Sequence, residues 1–258
     1  MDGTEIYEFL EGEFVATFLD ELLPGIFHNY ANPLNGIMGR SKLLQRRLTD
    51  FLAKLEQSYP DFESRMGVDY KKLISDINSI NNESEKFYDL FRMSTGKFYA
   101  IGTHSVETLN LSTLIEAEMG FEDFYLDFKH NVRKEVHLDP DLPDISGITA
   151  YYSMSLWMLI RLAMENMKDE KDKAIYIATE RNERLVFIKM TNLGNELVSA
   201  WKDNSANPDF LSRCTNGQKK IIYALLLLEQ GSRGVEITYD RAIDMLAIGI
   251  PYRNGKEV

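Results

Sequence analysis

One histidine stands out as a residue that could do chemistry, because of the residues that follow it. His28 lies in the run FHNYANPLNGI, with Asn32 four residues later and Pro33 directly after that. A neutral imidazole is both a nucleophile and a base near pH 7. A lone histidine on a helix is more often an ordinary polar residue. Pro33, however, costs about 3 kcal/mol inside a helical pattern, and a kink kept at that cost indicates a site.

The histidine lies at the start of a long helical pattern. Apolar residues recur there in alternating steps of three and four, the spacing of a helix that packs against other helices. His28 is one residue off this first seam and is therefore expected to face water. The seam positions are Phe27, Tyr30, Leu34, Ile37, Ser41, Leu44, Leu48, Phe51 and Leu55, of which only Ser41 is not apolar.

A second seam of the same kind follows a predicted turn over residues 58–67. Two such helices joined by a turn form an antiparallel hairpin. One hairpin cannot bury two full seams, so two chains are expected to join their hairpins, from about Phe14 to Phe91, in a dimeric four-helix bundle. The second seam comprises Tyr70, Leu73, Ile77, Ile80, Ser84, Phe87 and Phe91.

The first helix also carries a run of positive charge. No Asp or Glu occurs from Leu22 to Thr49. This window is either a solvated basic face or a docking surface for an acidic partner. The whole chain has a net charge of −11, which argues against nucleic acid or an anionic membrane as the partner. The basic residues of the window are Arg40, Lys42, Arg46 and Arg47.

From about residue 109 the pattern changes to shorter elements. Residues 109–119 fit either a strand or a short helix. Helices are predicted at residues 148–167 and 221–229, and strands at residues 135–138, 174–179, 185–191, 235–239 and 242–251. The fold class is therefore α+β, with a helical domain over residues 1–100 and a two-layer α/β sandwich over residues 101–258.

The sequence predicts a cytoplasmic protein. Its first residues are acidic, without the basic flank of a signal peptide, and no stretch reaches the roughly 20 apolar residues of a membrane span. The single cysteine, Cys214, cannot form an internal disulfide, which fits a reducing compartment. His104, His130 and His137 lack the spacing of metal ligands, so no metal site is expected.

The run around His28 resembles the H-box of histidine kinase dimerisation domains. In that box the phosphate-accepting histidine is followed by an acid, two variable residues, Asn or Thr, and then Pro-Leu. His28 matches the acceptor, Asn32 the fourth residue after it, and Pro33 and Leu34 the Pro-Leu pair. The acid is replaced by Asn29, and an amide cannot accept the imidazole proton when ATP is the phosphoryl donor.

The resemblance implies that the later domain is similar to the kinases' ATP-binding domain, but the motifs of that domain are poorly kept. Asn166 stands where a magnesium-holding asparagine would be, although an ordinary polar residue near a helix end fits equally well. Asn192 replaces the aspartate that reads adenine, and Glu196 replaces the second glycine of the same box. The glycine-rich phosphate loop falls on residues 216–220, where only Gly217 is kept. ATP is therefore not expected to bind.

Kinase-like helices joined to an eroded nucleotide domain resemble dedicated phosphotransferases, such as the ChpT type and the dimeric phosphotransferase of the sporulation phosphorelay. The resemblance implies that His28 carries a phosphoryl group between the aspartates of two response regulator receiver domains, with Asn32 as a second site residue. It implies no cofactor of the chain's own, because the receiver would supply Mg²⁺. The residues expected to contact the receiver are Asn29, Arg40, Lys42, Arg46 and Arg47.

Two other functions stay open at this stage. The first is an active histidine kinase or phosphatase with divergent ATP boxes, in which Asn32 positions water; nucleotide binding would distinguish it. The second is a non-catalytic dimeric scaffold that sequesters a response regulator. In a scaffold His28 is never phosphorylated, so phosphate labelling of His28 separates this case from the others.

Overall fold

The computed structural model describes residues 3–57, 62–194 and 211–252. The chain divides into two compact units. The hairpin unit is Leu23–Ser94, and the α/β unit combines Met1–Leu22 with Thr95–Val258. The predicted domains, residues 1–100 and 101–258, differ from this division. The predicted helical domain included residues 1–22, which belong to the α/β unit, and it ended at residue 100 instead of Ser94.

The hairpin unit is built from two long helices, α2 (Leu23–Gln57) and α3 (Phe62–Gly102). Both predicted helices are confirmed, and α2 continues through Pro33. The turn predicted over residues 58–67 is wrong in its second half, because α3 begins at Phe62. Gly67 lies inside that helix, where a glycine costs only about 1 kcal/mol. Residues 58–61 lie outside the described part of the chain.

Several seam residues of the hairpin unit remain accessible. Leu34 is 49% exposed, Ile77 is 40% exposed and Phe87 is 36% exposed. Large apolar side chains that recur on one face of a helix are normally buried against a neighbour. The exposure agrees with the expectation that a further pair of helices covers this face, and the dimeric bundle stays a prediction.

The α/β unit has a mixed five-stranded sheet and a separate antiparallel pair of strands. The larger sheet has the order β2 (Val132–His137), β4 (Lys173–Arg181), β5 (Leu185–Thr191), β7 (Met245–Pro251) and β6 (Glu236–Asp240), and the pair is β1 (Val106–Leu109) with β3 (Ile145–Ile148). Strand β2 runs parallel to β4, and the other neighbours in the larger sheet are antiparallel. The mixed α+β class is thus confirmed. Besides the end of α3, the elements are α1 (Gly3–Thr17), a π-helical turn (Phe18–Leu22), β1 (Val106–Leu109), α4 (Leu111–Glu122), α5 (Leu126–Asn131), β2 (Val132–His137), β3 (Ile145–Ile148), α6 (Thr149–Asn166), β4 (Lys173–Arg181), β5 (Leu185–Thr191), α7 (Asn216–Gly231), β6 (Glu236–Asp240) and β7 (Met245–Pro251).

The core of the α/β unit lies on one face of the larger sheet. Val186, Ile188 and Met190 are buried at alternate positions of β5, the period expected of a strand with a single buried face. Helix α6 is apolar almost throughout, and its Tyr152 and Trp157 are at most 1% exposed. Helices α6 and α7 pack against each other, so they form the second layer.

The first helix, α1, was not predicted. Its buried residues Ile6, Leu10 and Phe14 recur at the spacing of one helical face, and α1 packs against α6 and α7. The Phe14 ring lies 5.0 Å from the Trp157 ring in an edge-on contact. This apolar repeat is present in the sequence, but it is short and the acidic residues between its positions make it hard to recognise.

Helix α4 settles the open choice between strand and helix over residues 109–119. It begins after Asn110, whose side-chain oxygen accepts a hydrogen bond from the Thr113 amide at 3.1 Å, an N-cap that favours a helix at this point. The short elements α5, β1 and β3 were not predicted. None of the helices in the described ranges is long and apolar enough to cross a membrane.

Candidate functional site

Helix α2 turns one face of the H-box-like run outward. His28 and Asn32 are both exposed, and residues four apart lie on the same face of a helix. Asn29 and Pro33, the residues that directly follow them, are both buried. The two predicted catalytic residues are therefore presented together to solvent, as the seam pattern predicted for His28.

Asn29 was expected to contact a receiver, and its placement does not fit that role. The residue is only 6% exposed, so in this conformation it offers almost no surface to a partner. The seam pattern did not predict this burial, because Asn29 lies between the seam residues Phe27 and Tyr30 and is not itself a seam position. The residue after His28 is therefore an inward-facing amide, which cannot act as a base.

Tyr30 fixes the helical turn that carries His28. Its hydroxyl lies 2.7 Å from Ser94 Oγ and 3.1 Å from the carbonyl oxygen of Leu90, and its ring lies 5.4 Å from the Phe87 ring. These three partners belong to α3, so the turn with His28 is fastened to the second helix of the hairpin. The sequence placed Tyr30 on the seam, but partners 60 and 64 residues away gave no local signal.

The basic residues of α2 are not all available. Arg40 Nη1 lies 3.4 Å from Asp76 Oδ1, and Arg47 also pairs with the Asp76 carboxylate. Asp76 is on α3 and is 2% exposed. Lys42 and Arg46 are exposed. Asp76 of α3 thus neutralises part of the positive charge of α2. The sequence of α2 alone gives no sign of this, because the carboxylate comes from the other helix.

A cleft of about 520 Å³ opens in the same hairpin, beyond His28 along α2. The two helices come close at Gly36, where a Cβ atom would lie 3.1 Å from Glu83 Cγ. The walls carry groups of both charges, so the cleft suits a charged protein surface better than an apolar ligand. Its lining includes Gly36, Arg40, Ser79, Asn82, Lys86 and Asp89.

The residues that resemble a nucleotide site lie together in the α/β unit, where they bond to the chain itself. Asn166 Nδ2 donates to the carbonyl oxygen of Asn192 at 3.1 Å. The Asn192 amide donates to the carbonyl oxygen of Ala174 and lies 3.3 Å from Met167 Sδ. A Cβ on Gly194, which has φ of +80°, would lie 3.0 Å from Asn166 Nδ2. The Nδ2 groups of Asn166 and Asn192 are therefore bonded within the chain, which holds both side chains in place without a nucleotide.

Residues 216–220, which fall on the phosphate loop of the resemblance, form the first turn of α7. Thr215 Oγ1 accepts from the Gln218 amide at 3.3 Å, and Gln218 Oε1 accepts from the Thr215 amide at 2.9 Å. This reciprocal pair is a capping box. It satisfies backbone donors that a phosphate at this helix end would otherwise accept from.

Lys220 is also engaged. Its Nζ lies 3.1 Å from Glu13 Oε2 and 3.3 Å from Glu165 Oε1. The ammonium group therefore joins α7 to α1 and α6, and a phosphate would have to compete with two carboxylates for it. Glu196, predicted to repel phosphate, lies outside the described residues.

We expect magnesium-ATP to bind with a dissociation constant above about 1 mM, corresponding to less than about 4 kcal/mol of binding free energy. The reason is that Asn166, Asn192 and Lys220 already bond to other groups of the chain. Isothermal titration calorimetry should show only the heat of dilution, and the melting temperature should not rise with added nucleotide. A dissociation constant in the micromolar range would contradict this prediction and favour the active-kinase alternative.

Comparisons with known proteins show similarity of structure at low sequence identity. No family model and no curated protein matches the sequence. Among solved structures, the catalytic domain of histidine kinase ThkA is similar over 57% of this chain and 95% of its own, with 16% identity and a TM-score of 0.43. Histidine kinase AdeS of Acinetobacter baumannii is similar over 82% of this chain and 98% of its own, with 14% identity and a TM-score of 0.40.

A bacterial phosphotransferase is also similar, over 88% of this chain and 92% of its own, with 11% identity and a TM-score of 0.37. The structural neighbours thus include histidine kinases and a phosphotransferase, without distinguishing between them. Similarity at this level of identity does not extend to activity.

Proposed function

We propose that this chain is a histidine phosphotransferase of a two-component phosphorelay. His28 would take a phosphoryl group from the aspartyl phosphate of one receiver domain and give it to the aspartate of another. The observation that carries the proposal is the joint exposure of His28 and Asn32 on one face of α2, at the spacing of an H-box. The internally bonded Asn166 and Asn192 favour transfer without ATP over an ATP-dependent kinase.

The chemistry would exchange one high-energy phosphate linkage for another. The lone pair of an unprotonated imidazole nitrogen of His28 attacks phosphorus, and the bond to the aspartate oxygen breaks. The carboxylate leaves with the bonding electrons. Because the attacking nitrogen carries no proton, no neighbouring base is needed, and the amide of Asn29 is tolerated. The second transfer reverses these events onto another aspartate and regenerates His28.

Asn32 would act beside the phosphoryl group. Its amide offers donors and an acceptor one helical turn from His28, so it can contact the transferred group or orient a water molecule. The Mg²⁺ that offsets the phosphate charge would come with the receiver's acidic pocket. The chain itself would then need to supply only the nucleophile and its orientation.

The docking surface would continue along α2. At a rise of about 1.5 Å per residue, Arg40 lies roughly 18 Å and Arg46 roughly 27 Å from His28 along the helix. Lys42 and Arg46 are exposed, whereas Arg40 and Arg47 share Asp76. Positive charge near the acceptor would attract an acidic receiver and speed its encounter.

The decisive experiment is to incubate the purified chain with a receiver domain that carries labelled phosphate, in the absence of ATP. We expect acid-labile label on the chain, and its passage to a second, unlabelled receiver. Failure with every receiver tested would leave the scaffold alternative. Label taken up directly from magnesium-ATP would establish the kinase alternative.

We also propose a homodimer formed through the hairpin unit, and expect light scattering to report twice the chain mass at micromolar concentration. Leu44→Lys should dissociate the dimer or unfold the hairpin unit, because an unpaired charge would be buried in the bundle. Lys42→Ala, an exposed change two residues away, is the matched control and should leave the dimer intact. A monomeric mass for the unchanged chain would contradict this prediction.

A further inference from the structure

One carboxyl group in the core of the α/β unit has no place in the phosphotransfer proposal. Glu122, the last residue of α4, is 0% exposed. Among the described residues, neither of its carboxyl oxygens has a hydrogen-bond partner. An ionised carboxylate in this position would lose its hydration and gain no hydrogen bond in return. The surroundings therefore favour the neutral acid.

Charged and titratable groups approach Glu122 from several elements. Glu118 lies one turn earlier on α4, and Asp123 and Tyr125 follow the helix. Lys97 comes from the last turns of α3, and Arg161 from α6. The two cations are already paired, since Lys97 Nζ lies 2.6 Å from Glu118 Oε2 and Arg161 Nη2 lies 2.6 Å from Glu21 Oε2.

These two ion pairs hold the segments through which the chain enters and leaves the α/β unit. Glu21 belongs to the π-helical turn that directly precedes Leu23, where the hairpin unit begins. Lys97 follows Ser94, where the hairpin unit ends, by three residues. π-Helical turns are rare and are often found at functional sites. We call Phe18–Leu22 and residues 95–102 the connecting segments.

We propose that Glu122 is a proton-operated switch that controls how firmly the connecting segments are held. The neutral acid leaves Arg161 with Glu21 and Lys97 with Glu118. After its proton passes to water, the Glu122 carboxylate competes for both cations. The π-helical turn then loses part of its attachment to α6, and Lys97 at the end of α3 is divided between two carboxylates of α4 that repel each other.

The electrostatics support a switch in the physiological range. The pKa of Glu122 is raised to about 8, chiefly by burial; Arg161 and Lys97 oppose this rise, and Glu118 and Asp123 add to it. The folded unit thus retains a proton that an opened or unfolded unit, with an ordinary value near 4.5, releases. Stability of the closed segments should fall as pH rises towards about 8 and stay level above it.

Hydrogen exchange at single-peptide resolution tests the proposal. After correction for the intrinsic rate, protection of peptides covering the connecting segments should fall about tenfold per pH unit between pH 6 and pH 8 and then level off. Peptides from β5 and β7 in the same unit should not show this fall. In Glu122→Gln, which keeps the size of the side chain and cannot ionise, protection of the connecting segments should not depend on pH.

Glu229→Gln is the control for the loss of a carboxyl group on another helix, because Glu229 is an exposed residue of α7 outside the connecting segments whose pKa is also raised by partial desolvation; it should retain the wild-type pH profile. Trp157 provides a second readout that needs no variant of Glu122, since its ring contacts Phe14 and its Nε1 donates to Tyr125 at 3.3 Å. With Trp201→Phe, the Trp157 fluorescence should titrate near pH 8. A flat profile in that protein, or an unchanged profile in Glu122→Gln, would overturn the proposal. Neither readout depends on phosphotransfer.

Discussion

His28→Ala is expected to abolish the transfer of label from a phosphorylated receiver, down to the background of the assay. The proposed reaction uses the imidazole nitrogen as the nucleophile, and alanine has no group that could replace it. The fold should be unaffected. His28 is exposed on α2, and alanine is the best helix former, so the free energy of unfolding should change by less than about 0.5 kcal/mol.

His130→Ala is the matched control for this prediction, because His130 is also exposed and lies in a helix. It should take up and release label at the wild-type rate. Light scattering and circular dichroism should give the same mass and helix content for His28→Ala as for the wild type. If His28→Ala still passed label between receivers, the phosphotransfer proposal would fail, whatever its other support.

The periodic parts of the fold were predictable because a single local rule governs them. The apolar repeat of α2 and the alternation along β5 each extend over several turns or strand positions, and the helix and the strand that they predicted were confirmed. The short strands β1 and β3 lack such length, and no local pattern reports their pairing across the chain. Helix α1 is long enough, but the acidic residues between its buried positions obscured the apolar face that packs against α6.

The candidate site was predictable in position but not in its interactions. The sequence named His28 and Asn32 as candidates and predicted that His28 faces solvent, because that direction follows from the helical phase; the structure places both at the surface. It could not show that Asp76 lies between Arg40 and Arg47, since that contact joins residues 36 and 29 positions apart. Ion pairs between helices depend on the register of the hairpin, which is set by the whole interface.

The residues predicted to form a divergent nucleotide site show the same limit. The sequence shows Asn192 where the resemblance expects an aspartate that reads adenine, and from this only the loss of adenine binding could be predicted. The structure adds a replacement: the Asn192 amide donates to Ala174 and its carbonyl accepts from Asn166. Asn192 has φ of +68°, a conformation that Asn tolerates better than most residues. The bond from the Asn192 side chain to Ala174 therefore fixes this turn to β4.

The buried cluster around Lys97 was invisible to sequence reasoning, because a single lysine near the end of a helix normally reaches solvent. Here its ammonium group is satisfied three times: by Glu118 Oε2 at 2.6 Å, by Ser153 Oγ at 2.8 Å and by the Ser153 carbonyl oxygen at 3.2 Å. The rings of Phe14 and Phe121 lie 5.8 and 5.7 Å from Nζ. All three ammonium hydrogens thus have acceptors, as burial of a charge requires.

Lys97→Met should destabilise the α/β unit by about 3 to 5 kcal/mol, because removal of one partner leaves the Glu118 charge buried and uncompensated. Chemical denaturation followed by Trp157 fluorescence would measure the loss. Lys189→Met is the matched control: Lys189 also lies 2.6 Å from its partner Glu180, but that pair is at the surface. Its loss should cost less than about 1 kcal/mol.

The double variant Lys97→Met with Glu118→Met separates the ion pair from its surroundings. A buried pair can often be replaced by apolar side chains of similar volume without loss of stability. The double variant should therefore recover most of the stability lost in Lys97→Met, although Ser153 Oγ keeps Glu118 as a partner in the single variant and loses it in the double variant. If it were instead no more stable than Lys97→Met, the cost would arise from packing around the lysine stem and from Ser153, not from the unpaired charge.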